Sequence, residues 1–311
     1  MKKNFTLIAL PLIVLFFSAC DKENTNLDTT LYDDEISLIS DEIDSDLTLN
    51  YLLDGSDDAN FFDDLEYDLN EKSTHMYEGV SSCAVKTWSV ESDRLVLTRD
   101  FSDSRCDRTG IIVIEYFFPE TDEEITLKKT IEFIDFTTNS VTYNGKISLE
   151  RTIESYSIEA SLEIDRVNTE GEAVHFSRNY SRQLDWLCGR GTQSETFSDL
   201  DYSSYATSDN IRLLSGSSST VKTVAGVETS YSRTITNPLL YVAACDLKIQ
   251  AGEVVIKKAN GTELEINYGE MPESLNCDDD FECGNTFEVT KNGKTYSMEL
   301  ADGEVVQVTQ E

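Results

Sequence analysis

Histidine, proline and basic residues are scarce in this chain, and each shortage narrows what it can do. Only His75 and His175 occur in 311 residues, so mixed cysteine–histidine zinc sites and histidine-dependent nucleophile motifs have little to draw on. Lysine and arginine number 25 against 59 aspartates and glutamates, a formal charge of −34. Such a field repels nucleic acid and anionic headgroups within a Debye length of about 8 to 10 Å, which argues against a DNA or RNA role. The apolar stretch from Phe5 to Phe17 has 13 residues. As a helix it reaches about 20 Å, short of the roughly 30 Å hydrocarbon core, so a permanent single-pass anchor is disfavoured. With only four prolines, little interrupts strand pairing.

What is present begins with an export layout. Lys2 and Lys3 give a positive start, the apolar stretch follows, and Phe17, Ser18 and Ala19 precede Cys20. A cysteine directly after Ser18 and Ala19 resembles a bacterial lipoprotein signal, in which the thiol is acylated and the leader is cut before Cys20. Phe17 departs from the leucine usual at that place. Acyl chains contribute about 0.8 kcal/mol per buried CH₂, and two or three hold a protein on a bilayer far better than one. Cys20 is therefore expected to be a lipid attachment point, carrying palmitate or similar chains. An ordinary secretory leader followed by a chance cysteine is the alternative. Cleavage would remove 19 residues with Lys2 and Lys3, taking the formal charge from −34 to −36.

Residues 20–75 read as an acidic tether. Between Asp21 and Lys72 there are 18 acidic side chains against two lysines. Within it Leu31, Ile36, Leu38, Ile39 and Ile43, then Leu47, Leu49, Leu52 and Leu53, recur at loosely helical spacing, so one or two short marginal helices are expected, with docking as one occasion for their formation. The two readings of this arm are a solvated stalk and a partner-binding amphipathic segment.

From residue 76 to 311 the period shortens to two. Leu95, Leu97 and Arg99 alternate with Val96 and Thr98, and Ile111 to Phe118, Ile125 to Phe136 and Val141 to Ile153 are rich in β-branched and aromatic residues. Turns are expected at Pro119 to Asp122 and at three Asn-Gly pairs, Asn144-Gly145, Asn260-Gly261 and Asn292-Gly293, because both central residues of a tight type I′ hairpin need positive φ. The expectation is an all-β domain of meandering antiparallel sheets, as a sandwich, a curved sheet or an open barrel, with no internal boundary placed.

Six cysteines follow Cys20: Cys83, Cys106, Cys188, Cys245, Cys277 and Cys283. An even number in an exported chain reads as disulfides, with 15 possible pairings. A strand from Cys83 to Val90, a turn at Glu91 to Asp93 and a return through Phe101 would bring Cys106 to Cys83. Closing that loop would stabilise by roughly 3 kcal/mol in the chain-entropy model. Cys245 with Cys277 and Cys188 with Cys283 complete the expected set.

Chemical motifs are weak. Cys277 and Cys283 are six apart, unlike the usual zinc-ligand spacing. CDDDFEC at 277–283 supplies Asp278, Asp279, Asp280 and Glu282, but a calcium loop starting at Asp278 needs glycine where Cys283 stands. Asp54-Gly55-Ser56-Asp57-Asp58 likewise reads as an acidic turn. No Gly-x-Ser-x-Gly occurs, Cys188-Gly189-Arg190-Gly191 lacks the strand-to-helix setting of a phosphate loop, and no carboxylate pair stands out. Trp88 and Trp186 read as core or sheet-face residues. No catalytic residue, metal site or cofactor is expected.

Several segments in order carry a resemblance. They are Cys83-Ala-Val, Cys106, Arg108 to Ile114, Phe136 to Thr152, Ile235 to Leu240, Cys245, Gly252 to Ile256, Leu264 to Gly269, Cys277 and Asn292 to Tyr296. Together, over about residues 83–300, they resemble an uncharacterised family of lipoproteins from Bacteroidetes-type bacteria. Cys188 and Cys283 look like additions to that pattern. The resemblance implies an outer-membrane lipid anchor at Cys20, and no other site residue. It also makes Asp21-Lys22-Glu23 similar to a short surface-export tract, and Asp28-Thr29-Thr30 similar to an O-glycosylation triplet.

The leading expectation is an envelope-anchored protein that binds or scaffolds a protein or glycan partner without catalysis. A periplasmic carrier of an apolar ligand is second, and a glycan-acting hydrolase, which needs two carboxylates about 5 to 10 Å apart in a cleft, is third.

Overall fold

Among the described residues, the alternating segments form fourteen antiparallel strands, each hydrogen-bonded to the next in the chain. They are β1 Val85–Val90, β2 Arg94–Asp100, β3 Arg108–Phe117, β4 Leu127–Thr138, β5 Val141–Arg151, β6 Ser155–Val167 and β7 Ala173–Cys188. The order continues with β8 Ile211–Val224, β9 Val227–Val242, β10 Ile249–Lys258, β11 Glu263–Asn267, β12 Thr286–Lys291, β13 Lys294–Ala301 and β14 Glu304–Gln307. Among the described residues, the helix α1 Asp33–Ser56 precedes them. This computed structural model describes residues 31–56, 84–102, 108–117, 127–151, 155–168, 170–188, 211–242, 244–245, 247–272, 281–301 and 304–308.

A single sheet thus replaces the set of alternatives, and it is curved rather than closed. The reason lies in its burial. Leu95 and Leu97, Ile112 and Ile114, Ile158 to Ile164 at alternate places, Val174, Phe176 and Tyr180, then Val254 and Ile256 all point to one covered face. Thirteen inter-strand gaps at about 4.8 Å make a sheet roughly 60 Å wide, whereas a helix is about 10 to 12 Å across. One helix covers that face only if the sheet curls around it. Consistent with this, Asp33, Asp34 and Ser37 are the only exposed side chains among those described on α1, and residues from α1 through β14 share one core.

Glycines permit the bending. Gly216 in β8 has φ +116°, and a Cβ there would lie 2.1 Å from the backbone oxygen of Ser181 on β7. Gly145 does the same on β5, where a Cβ would stand 2.2 Å from the Ser161 oxygen on β6. Here the turn expectation is corrected. Asn144-Gly145 lies inside β5 and the hairpin is made by Asn139 and Ser140, both at positive φ, shortly after a β4 irregularity between Phe133 and Phe136. Gly145 is needed for close strand approach, and Asn144 accepts the Asp135 N–H at 2.7 Å across that irregularity. Asn292-Gly293 forms the expected two-residue turn with φ of 54° and 76°. Asn260-Gly261 turns the chain too, within a four-residue connection in which Gly261 takes the positive φ.

The cysteine pairing is corrected as well. Cys245 bonds Cys283, so neither Cys245 with Cys277 nor Cys188 with Cys283 holds. Cys188 is disulfide-bonded also. The bond ties the β9–β10 connection to the segment before β12, and Cys188, Ile211, Leu240, Val242, Cys245 and Ala251 form a second small core there with Phe281 against it. A sequence cannot reveal such pairs, because proximity here depends on two strands, β10 and β11, lying between the partners. Cys20, Cys83, Cys106, Cys277 and Pro119 to Asp122 fall outside the described residues.

Candidate functional site

Among the described residues, most of the buried charge is gathered where α1 meets the inner face of β6 to β12. The strand pattern explains how the cations arrive there. Arg178 and Arg182 continue the inward row Val174, Phe176, Tyr180, Leu184 on β7, and Arg233 follows Tyr231 on β9. Each stands in phase with apolar neighbours, so the sheet cannot turn it to water without turning them too.

The helix answers with carboxylates on several sides. Asp46 accepts from Arg233 at 3.0 Å and 2.5 Å through both oxygens, and from Arg182 at 3.2 Å. Asp41 accepts from Arg166 at 2.6 Å and Lys222 at 2.5 Å, and its carbonyl accepts from Arg178 at 3.1 Å. Nearer the helix start, Asp34 pairs with Lys258 at 2.8 Å and Glu35 with Lys291. Ser45 and the Tyr180 hydroxyl are 2.8 Å apart. Phe176 lies beneath the cations, with Arg178 4.5 Å and Arg166 5.0 Å from its centroid.

Burial and charge pull these groups in opposite directions. Burial, then the neighbouring Arg233, lowers the Arg182 guanidinium to about 10 although Asp46 and Glu42 oppose the shift. Burial would lower Arg233 too, but Asp46 and Glu42 outweigh it and raise it. Burial raises the Tyr231 and Tyr268 phenols. A hydrogen bond from Lys258 holds Asp34 below the usual carboxylate range despite partial desolvation.

Satisfaction is incomplete. Glu42 is 2% exposed. Its oxygen stands 3.5 Å from Arg233 Nε, an ion-pair separation without a hydrogen bond, and neither Glu42 oxygen has a hydrogen-bond partner among the described residues. Among the described residues, Arg178 Nε, Arg182 Nη1 and Ser218 Oγ are in the same position. Each unpaired buried atom costs about 1–3 kcal/mol. Adhesion therefore comes mainly from Leu38, Ile39, Ile43, Leu49 and Leu52, each about 1.5–3 kcal/mol when buried, while the charges fix where the helix sits.

Beside the first half of α1 a cleft of about 500 Å³ opens between the helix, the β8–β9 hairpin and the β10–β11 turn. Leu38, Val224 and Tyr231 give it an apolar floor, and Asp34, Asp41, Lys222 and Lys258 a charged wall. Among the described residues, no group of three or more His, Cys, Asp or Glu is placed to hold a metal ion. His175 is on the outer face, held by Asp165 at 2.8 Å and Glu163 at 2.9 Å. Trp88 packs partly buried against the core, and Trp186 meets Tyr156 edge-on.

The sequence pattern missed this seat. The acidic arm reads as solvated because eight carboxylates and no cation lie within α1, and only arginines at inward strand positions could have signalled the complement. No described helix is long and apolar enough to cross a membrane, a statement that leaves strands aside. No family model, no curated protein and no solved structure matches the chain.

Proposed function

We propose that this is a lipid-anchored, non-enzymatic protein of the outer membrane or cell surface that binds or scaffolds a partner there. The observation that carries the reading is the leader ending in Ser18-Ala19, directly before Cys20 and an acidic, exportable chain. The disulfide between Cys245 and Cys283 supports it, since such bonds persist in oxidising compartments. The resemblance to Bacteroidetes-type lipoproteins points the same way. Growth with labelled palmitate tests it: label is expected in the wild-type chain and absent from Cys20→Ala, which should leave the envelope fraction. An unlabelled wild-type chain, or a Cys20→Ala chain that still sediments with envelopes, overturns the anchor. Protease shaving of intact cells then separates surface from periplasm.

The cleft supports a second reading, carriage of a small apolar ligand. Its volume of about 500 Å³ lies within the roughly 300–1,000 Å³ usual for ligand sites. Because α1 fills the sheet's interior, the cleft or a displaced helix would have to house the cargo. Native mass spectrometry of the exported chain should then find a co-purified lipid; a bare mass removes this reading.

A further inference from the structure

The cleft beside α1 offers different chemistry at its two ends. At the enclosed end the charges are already matched. One Asp41 oxygen accepts from Arg166 and the other from Lys222, and the Lys222 ammonium also stands 3.4 Å from the Ser37 hydroxyl and 5.6 Å from the Phe176 ring centroid. At the open end Asp34 and Lys258 are joined at 2.8 Å, with the Asp34 side chain 70% exposed. An ammonium has three N–H donors and a carboxylate about four acceptor positions, and the bond between these two uses one of each. Leu38, Val224 and Tyr231 line the cleft between the ends, and Val227, 66% exposed, stands at its lip.

Resting on the carriage reading above, we propose that this cleft takes an uncharged amphiphile, whose hydroxyls meet Asp34 and Lys258 and whose apolar tail lies over Leu38, Val224 and Val227. The charge pattern selects the head. An anion reaching Lys258 comes up against Asp34 and the exposed Glu228, and a cation reaching Asp34 comes up against Lys258 and Lys222. The hydrogen bond from Lys258 holds Asp34 below the usual carboxylate range, so both members of the pair are charged at neutral pH. A zwitterion would have to part them. A hydroxyl leaves them joined, because it donates to the carboxylate and accepts from the ammonium together. The apolar lining then holds the tail, the usual division of labour in a ligand site.

The test uses the full chain carrying Cys20→Ala, which has no acyl anchor and needs no detergent. It is titrated calorimetrically with 1-decanoylglycerol, decanoate, decylammonium and decylphosphocholine, each below its micelle concentration. The glycerol ester is expected to bind at least about tenfold tighter than the other three, each of which meets a like charge or must open the pair. Asp34→Asn should tighten decanoate several-fold by removing the repelling carboxylate, and Val227→Glu should weaken the ester several-fold at an unchanged unfolding midpoint. An ester that does not bind, or binds no tighter than one of the charged probes, overturns the class and leaves carriage to the native mass, where a bare chain removes it. Unchanged decanoate affinity in Asp34→Asn, or unchanged ester affinity in Val227→Glu, overturns the assignment to this cleft.

Discussion

Replacing Asp46 with alanine strips two buried guanidiniums of the carboxylate they share. Arg233 is 2% exposed and Arg182 5%, so neither can recover its lost partner from solvent. Arg233 keeps Glu42 at 3.5 Å. Arg182 is worse placed, because burial and Arg233 already depress it and Asp46 is the first of the groups opposing them. Breaking a buried pair by removing one member typically costs about 3–5 kcal/mol. Against a total stability of about 5–15 kcal/mol, that is a large fraction. Guanidinium or urea unfolding followed by circular dichroism should show the midpoint fall by the corresponding amount at nearly unchanged slope. Urea melts at low and high salt separate this cluster from surface pairs, since screening over a Debye length of about 3 Å at 1 M weakens exposed pairs and leaves enclosed ones largely intact. The fourfold change Glu42→Leu, Asp46→Leu, Arg182→Leu and Arg233→Met, which leaves no member of the cluster unpaired, should return most of the loss, because apolar replacement of a buried ionic cluster is often neutral or stabilising by about 1–4 kcal/mol. An Asp46→Ala loss below about 1 kcal/mol, the value of an exposed pair, would refute the placement of α1 inside the sheet.

Three further outcomes are expected. Gly216→Ala should cost about 3 kcal/mol or more through strained φ and the 2.1 Å approach to the Ser181 oxygen, whereas Gly226→Ala, at φ +80° with nothing within 4 Å, should cost about 1 kcal/mol; equal losses in denaturant melts would remove the close-approach account. Replacing Cys245 and Cys283 together by serine opens a loop of 38 residues, a loss of about 4 kcal/mol in the chain-entropy model, and an unreduced peptide map lacking the Cys245–Cys283 peptide would contradict the pairing itself. His175 is raised above its usual 6.5 by its hydrogen bond to Asp165, opposed by slight desolvation and aided by Glu163. Its contribution is therefore fully present below pH 6.5 and lost as pH climbs through the raised value, so an NMR titration of His175 with a midpoint at or below 6.5 would contradict the outer-face cluster.

Strands were the most legible part of the chain. Pairing between sequence neighbours needs only a period of two and a turn, and both are local: Glu91 to Asp93 joins β1 to β2 where the pattern places it, and Asn292-Gly293 closes β12 on β13. Asn144-Gly145 misled because glycine serves two purposes. The same absence of Cβ that permits a tight turn also lets β5 approach the Ser161 oxygen.

By itself the sequence determined the antiparallel meander, the one-faced alternation and the strong negative charge, since each follows from residue type and spacing along a short stretch. Only the tertiary structure decided that fourteen strands make one curled sheet, that Cys245 finds Cys283, and that the acids of α1 are enclosed. Enclosure of Asp46 depends on Arg182 and Arg233, 136 and 187 residues away. No local pattern carries that information, because a carboxylate is stable in water or beside a buried guanidinium, and which of the two it meets depends on how the distant strands curl.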